Sequence, residues 1–123
     1  MQQNPVDWFE IYVENMGRAK KFYESVFKVE LSPLENAGVH LCTFPMEMNG
    51  SGAAGALVKM EGFASGANST LVYFRSEDCS VEEKRASEFG GRVQKSKWSI
   101  GEHGFISLVI DTEGNMFGLH SMK

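Results

Sequence analysis

Apolar and polar positions alternate over residues 7–13, DWFEIYV, which is the period of a strand with one buried face. Phe9, Ile11 and Val13 fall on one side, and Trp8, Glu10 and Tyr12 on the other. An indole, a carboxylate and a phenol sharing one face make either a wet surface or the lining of a pocket. The period then lengthens. In MGRAKKFYESVF, 16–27, Ala19, Phe22, Tyr23 and Val26 recur at i, i+3, i+4 and i+7, which predicts a helix with one apolar stripe. Asn15 is placed to cap it. Strand-like segments follow at 29–34, 39–44 and 54–60. Between the last two, PMEMNGSGA reads as a loop from its Gly, Asn and Pro content.

The order then repeats. EGFASGANS, 61–69, reads as a connector, and 70–76 as a strand with Leu71, Tyr73 and Arg75 on one face. A helix is expected from Ser80 to Phe89, opened by a capping box of Ser80 and Glu83 and closed by Gly90-Gly91. Strands are expected at 92–98, 105–111 and 115–121, the last two joined by Thr112-Glu113-Gly114. A first βαβββ module (1–60), the connector (61–69) and a second βαβββ module (70–123) thus make up one domain. Sliding the chain by 63 residues sets Trp8 on Leu71, His40 on His103 and Gly55 on Gly118, yet only five of sixty pairs are identical. That is near chance, so the repeat rests on element order and hydrophobic phase. Each half has one helix to cover one face of its strands.

Composition narrows the class. With 123 residues, 42% hydrophobic and 23% charged, the chain can bury a core without staples. A net charge of -4 argues against nucleic acid as a partner. No apolar run approaches the roughly 20 residues that span a bilayer, so no membrane partner is expected. The start, MQQNPVDW, lacks a signal-peptide core. Cys42 and Cys79 have no metal or redox spacing, and reduced thiols in a cytoplasmic protein are the expectation.

FEIYVENMGRAKKFYESVF (9–27) resembles the strand, acidic turn and helix that open modules of the vicinal oxygen chelate superfamily. That group includes glyoxalase I, bleomycin-resistance proteins and extradiol dioxygenases. IGEHGFISLVIDTEGNMFGLHS (100–121) resembles its closing hairpin, and the likeness is nearest to the glyoxalase-related branch. The resemblance implies an α+β fold: a curved eight-stranded mixed sheet with its helices on the outer face and a cleft on the other. It also implies a homodimer. Members carry metal ligands (His, Glu or Gln) on the first and last strand of each module. By strand position those places here are Trp8, Gly55 or its neighbour Ala56, Leu71 and Gly118, none of which offers a side-chain donor to a divalent ion. No cofactor is therefore expected, with a divalent metal in a shifted position as the alternative.

Glu10 and His120 each lie two residues beyond one of those places, so both are expected on the cleft face, as an acid/base pair or as displaced ligands. Solvent or neighbouring polar groups are the plainer occupation for each. Trp8, Tyr12, Tyr73 and Arg75 suit a small planar or anionic ligand, the guanidinium offering a donor fork to a carboxylate or phosphate. The same residue types also suit an interface. His40 and His103 are expected to be surface or hydrogen-bonded side chains, and Gly50-Ser51-Gly52 a hairpin tip rather than a phosphate cradle. Met46, Met48 and Met60 flank that tip as a soft lid or as plain filling.

Three functions remain open on these residues. The first, preferred, is a small-molecule-binding protein of the glyoxalase/bleomycin-resistance type without the usual metal. The second is a lyase or isomerase using Glu10 and His120. The third is a module that mainly pairs with itself or another protein.

Overall fold

A computed structural model describes residues 4–36, 39–47, 49–66 and 69–123. Residues 1–3 of the N-terminal reading, Met48 of the methionine group and residues 67–68 of the connector lie outside them. The elements run β1 (Val6–Tyr12), α1 (Met16–Phe27), β2 (Ser32–Asn36), β3 (Val39–Thr43), β4 (Ala54–Lys59), β5 (Thr70–Arg75), α2 (Cys79–Glu88), β6 (Arg92–Ser99), β7 (Phe105–Ile110) and β8 (Met116–Ser121), with a 3₁₀ turn at Gly101–His103. This is βαβββ twice, an α+β fold whose strands belong to one eight-stranded mixed sheet. By contacts the chain divides into two compact units. One is Trp8–Thr70; the other joins Leu71–Lys123 to the N-terminal segment ending at Asp7.

In the 8–70 unit the strands lie in the order β2-β3-β4-β1, with β1 and β4 parallel and the other neighbours antiparallel. Ile11 pairs with Leu57. Val13, Leu31, Cys42 and Leu57 form the core, with Ile11, Met16, Ala19 and Tyr23 packed on it. The expected stripe of α1 therefore splits. Ala19 and Tyr23 turn inward, whereas Phe22 and Val26 are 59% and 53% exposed. Asn15 caps α1 as expected, its Oδ1 accepting from Arg18 N–H at 2.9 Å. The helix ends where Lys28 takes a left-handed conformation (φ 54°). The Glu24 carboxylate then accepts from Leu31 N–H at 2.8 Å, tying the exit to the helix.

In the other unit the order is β5-β8-β7-β6, with β5 and β8 parallel. Cys79, Val109 and Leu119 are its buried core, with Phe74, Ala86, Phe105 and Phe117 against them. The cap of α2 differs from the expected box. Asp78 is the N-cap, its Oδ1 accepting from Ser80 N–H at 3.0 Å and Ser80 Oγ at 2.7 Å. Glu83 instead accepts from Lys97 N–H on β6 at 2.8 Å. Lys97 Nζ also reaches Asp78 at 2.8 Å, and with Ser80 it holds that carboxyl down to about 2. Helix and strand are thereby locked together. In the turn between β7 and β8, Asp111 Oδ1 accepts from the N–H groups of Glu113 and Asn115, at 2.8 and 2.9 Å. Gly114 supplies the positive φ of 85°.

Candidate functional site

Strand alternation decides which side chains leave the helix side of each unit. Leu57 is in the core beneath α1, so Gly55 shares that side, where a Cβ would overlap the Phe9 ring. Ala56, paired with Glu10, faces the other way. Leu119 and Phe117 pack towards α2, so Gly118 and His120 face away from it, as do their partners Tyr73 and Arg75. Of the two places named for the first module's last strand, the helix-distal one is Ala56. Gly55 corresponds to Gly118 in sequence offset but not in facing, because Phe9 pairs with Gly55 while Tyr73 pairs with Gly118, a shift of one residue between the strand pairs.

The residues at the four places where the resemblance leads one to expect metal ligands do not suit a divalent ion. Trp8, Ala56, Leu71 and Gly118 carry no donor, and the space above Gly118 is filled. A Cβ there would overlap the edge of the Tyr73 ring, so a longer ligating side chain has no room. Among the described residues no group of three or more His, Cys, Asp or Glu side chains is arranged to hold an ion.

Two polar clusters arise, one in each unit. On β1, Glu10 is gripped from both sides along its own strand: Trp8 Nε1–H donates to Oε2 at 3.1 Å and Tyr12 O–H to Oε1 at 2.7 Å. The Tyr12 ring stacks on Phe63 at 5.0 Å between centroids. Indole, carboxylate and phenol thus form one ladder, as the period-two spacing implied. Tyr12 and Tyr73 are both buried.

The second cluster joins His120 and Arg75, both expected from the sequence, to Asp7, which sequence reasoning missed. His120 Nε2 lies 2.7 Å from the His103 carbonyl; a carbonyl only accepts, so this nitrogen carries a proton. Nδ1 faces Asp7 Oδ2 at 3.4 Å. Arg75 Nη1 lies 3.8 Å from the same Oδ2. Asp7 holds the imidazole pKa above its ordinary value; partial burial opposes this, the His103 carbonyl adds to it and the Arg75 guanidinium works against it. Asp7 Oδ1 is buried with no hydrogen-bond partner among the described residues. The Arg75 side chain is 43% exposed and that of His120 is 27% exposed.

Asp7 lies in the sequence phase of Phe9 and Ile11 along β1, yet its carboxylate meets Arg75 and His120. The available signal was a carboxylate standing in the phase of Phe9 and Ile11. Glu10 and His120 fall in different units, and each makes its own set of bonds. His40 is exposed, 3.5 Å from Glu35, and His103 is exposed beside Glu102 at 3.9 Å. A cavity of about 350 Å³ in the 8–70 unit is bordered by Val13, Arg18, Phe22, Tyr23 and Ser65, and none of the candidate residues lines it.

This architecture is the vicinal oxygen chelate fold, that of glyoxalase and bleomycin-resistance proteins. Among solved structures, a single-residue variant of methylmalonyl-CoA epimerase from Streptomyces coelicolor, in complex with 2-nitronate-propionyl-CoA, superposes with a TM-score of 0.72 at 16% identity, covering 98% of each chain. Methylmalonyl-CoA epimerase from Mycobacterium tuberculosis gives 0.69 at 16% identity, over 97% of this chain and 88% of that one. A hypothetical protein from Bacillus halodurans C-125 gives 0.71 at 12% identity, over 96% and 94%. No family model matches the sequence, and no curated protein matches it. Among the described residues no helix is long and apolar enough to cross a membrane.

Proposed function

We propose that the protein binds a small anionic molecule, without a metal, through the Arg75 and His120 side chains. The observation that carries this reading is the second cluster: an exposed guanidinium and a partly exposed imidazole share a single carboxylate, Asp7. With the imidazole protonated, two cations on one anion leave positive charge for a carboxylate or phosphate, and Arg presents it as a planar fork. A fold neighbour that holds a propionyl-CoA derivative, an anionic thioester, is in keeping with such a ligand. The protein acts in the cytoplasm, where Cys42 and Cys79, both free and buried, stay reduced. It pairs as a homodimer, for which Phe22, Val26 and Phe27 on α1 offer exposed apolar surface.

A thermal-shift screen of aromatic carboxylates, glutathione conjugates and acyl-CoA thioesters tests the reading, since a ligand of the native state raises the unfolding midpoint. At least one class is expected to stabilise the protein, and Arg75→Gln to weaken that ligand about tenfold or more, the scale of one charge-assisted hydrogen bond. A screen without a stabiliser, or unchanged binding in Arg75→Gln, overturns it. Elemental analysis of protein purified without chelator is expected to find no stoichiometric divalent ion, and one ion per chain would contradict the metal-free part.

A second reading, a lyase or isomerase, draws on the fixed Glu10 carboxylate, which is oriented by two donors as a proton acceptor would be. Proton exchange at the α-carbon of an acyl-CoA thioester, abolished in Glu10→Gln while that variant remains folded, is the result that would favour it.

A further inference from the structure

The Asp7 cluster has a feature that anion binding alone does not require. One carboxylate serves two cations and leaves its buried Oδ1 without a partner among the described residues. We infer that Asp7 is a positioning residue that acts through His120 to make anion capture at this cluster depend on pH, an inference that rests on the binding reading above. With the imidazole protonated, Arg75, His120 and Asp7 together carry one net positive charge. With it neutral, they carry none. Anion affinity therefore falls as pH rises through the titration of His120, and Asp7 determines where that fall occurs.

The geometry confines the device to few groups. Among the described residues the charges that meet the imidazole are Asp7 from β1 and Arg75 from β5. The 3₁₀ turn contributes the His103 carbonyl, while the Glu102 and His103 side chains are exposed and pair with each other. The residue opposite His120 on β7 is Ile106, which carries no charge. Asp7 favours the imidazolium and Arg75 disfavours it. Removing each must then move the titration in opposite directions, a signature that mere loss of structure does not produce.

The test follows the His120 ring by NMR across a pH series in the native protein and in Asp7→Asn, Asp7→Glu and Arg75→Gln, and in parallel measures benzoate affinity across the same series. His120 is expected to titrate above the ordinary histidine value in the native protein, lower in Asp7→Asn and higher in Arg75→Gln. Asp7→Glu, which keeps the charge, is expected to lie nearer the native value, and it preserves the comparison should Asp7→Asn fold poorly. Benzoate affinity is expected to fall with rising pH alongside the His120 titration, and at lower pH in Asp7→Asn. An unchanged His120 titration in Asp7→Asn, or benzoate binding whose pH profile ignores Asp7, overturns the inference and leaves the binding reading standing. If the titrations shift as stated but native protein binds neither benzoate nor any ligand of the thermal-shift screen at any pH, the gating falls together with the anion reading, and only the hold of Asp7 on His120 survives.

Discussion

Glu10 depends on donors from its own strand, two residues to either side. This was legible in the sequence because strand period alone puts positions 8, 10 and 12 on one face. The ladder makes a sharp distinction between substitutions. Glu10→Ala leaves a partly buried indole N–H and a phenol O–H without this acceptor and is expected to cost about 1–3 kcal/mol in urea unfolding. Glu10→Gln keeps an oxygen for Trp8, and its amide N–H can donate to a turned Tyr12 hydroxyl, so its cost is expected to be the smaller of the two. Equal losses would show that the ladder adds nothing. His120 was legible by face but not by partner. Asp7, 113 positions away in sequence, and a backbone carbonyl of the 3₁₀ turn engage its two nitrogens. Because the folded pKa of His120 lies above the unfolded one, its contribution to stability is complete below about pH 6.5. That contribution is lost as pH rises through the folded value. Unfolding midpoints in native protein and His120→Gln are thus expected to converge as the buffer becomes alkaline.

At the scale of elements, periodicity placed every helix and strand but misjudged what happens at their edges. α1 was found to the residue, because its apolar spacing and its Asn15 cap agree. Its inward face is narrower than the stripe: Tyr23 packs on the core with Met16 and Ala19, while Phe22 projects outward. Tyr23→Ala is accordingly expected to cost about 2 kcal/mol, and Phe22→Ala under about 0.5 kcal/mol, although sequence spacing treats the two alike. The start of α2 shows the limit of motif reading. Ser80 and Glu83 satisfy the capping-box spacing, but Asp78 is the stronger acceptor and has Lys97 beside it. Glu83 then serves β6 instead of the cap. The carboxyl of Asp78 is depressed in the fold to about 2, from an unfolded value near 3.9. Its contribution is present above that unfolded value and is lost as pH falls towards the folded one. Helix content, followed by far-ultraviolet circular dichroism, is expected to decline over that acid window in the native protein. Asp78→Ala should unfold at lower temperature at neutral pH and show less of that acid dependence.

For the molecule as a whole, the fold was readable and the facing of the places expected for metal ligands was readable only in part. Two βαβββ runs, each with one helix-facing set of apolar residues, stand out in the phase of the chain even though the halves share almost no identity. Sequence offset alone, however, set Gly55 against Gly118, and register separates them: Gly55 lies under α1 against Phe9, and Gly118 lies on the helix-distal side against Tyr73. Offset counts residues, whereas facing depends on which residue of the neighbouring strand is opposite, and one residue of shift reverses it. The distinction has a consequence for any attempt to rebuild an ion site. Gly118 is one of the places where the sequence resemblance leads one to expect a ligating side chain, so on sequence alone Gly118→Glu supplies a donor. The Tyr73 ring, itself buried, already occupies the volume that a Cβ would enter. Even Gly118→Ala must displace the ring, at about 1–3 kcal/mol for overpacking. Gly118→Glu is expected to be destabilised further and to purify without a stoichiometric divalent ion. Pairing it with Tyr73→Ala should recover part of the lost stability, because the two changes act on one shared space and cannot be additive. A stable Gly118→Glu protein that held a metal with Tyr73 in place would mean that the ring yields readily and does not by itself exclude an ion there.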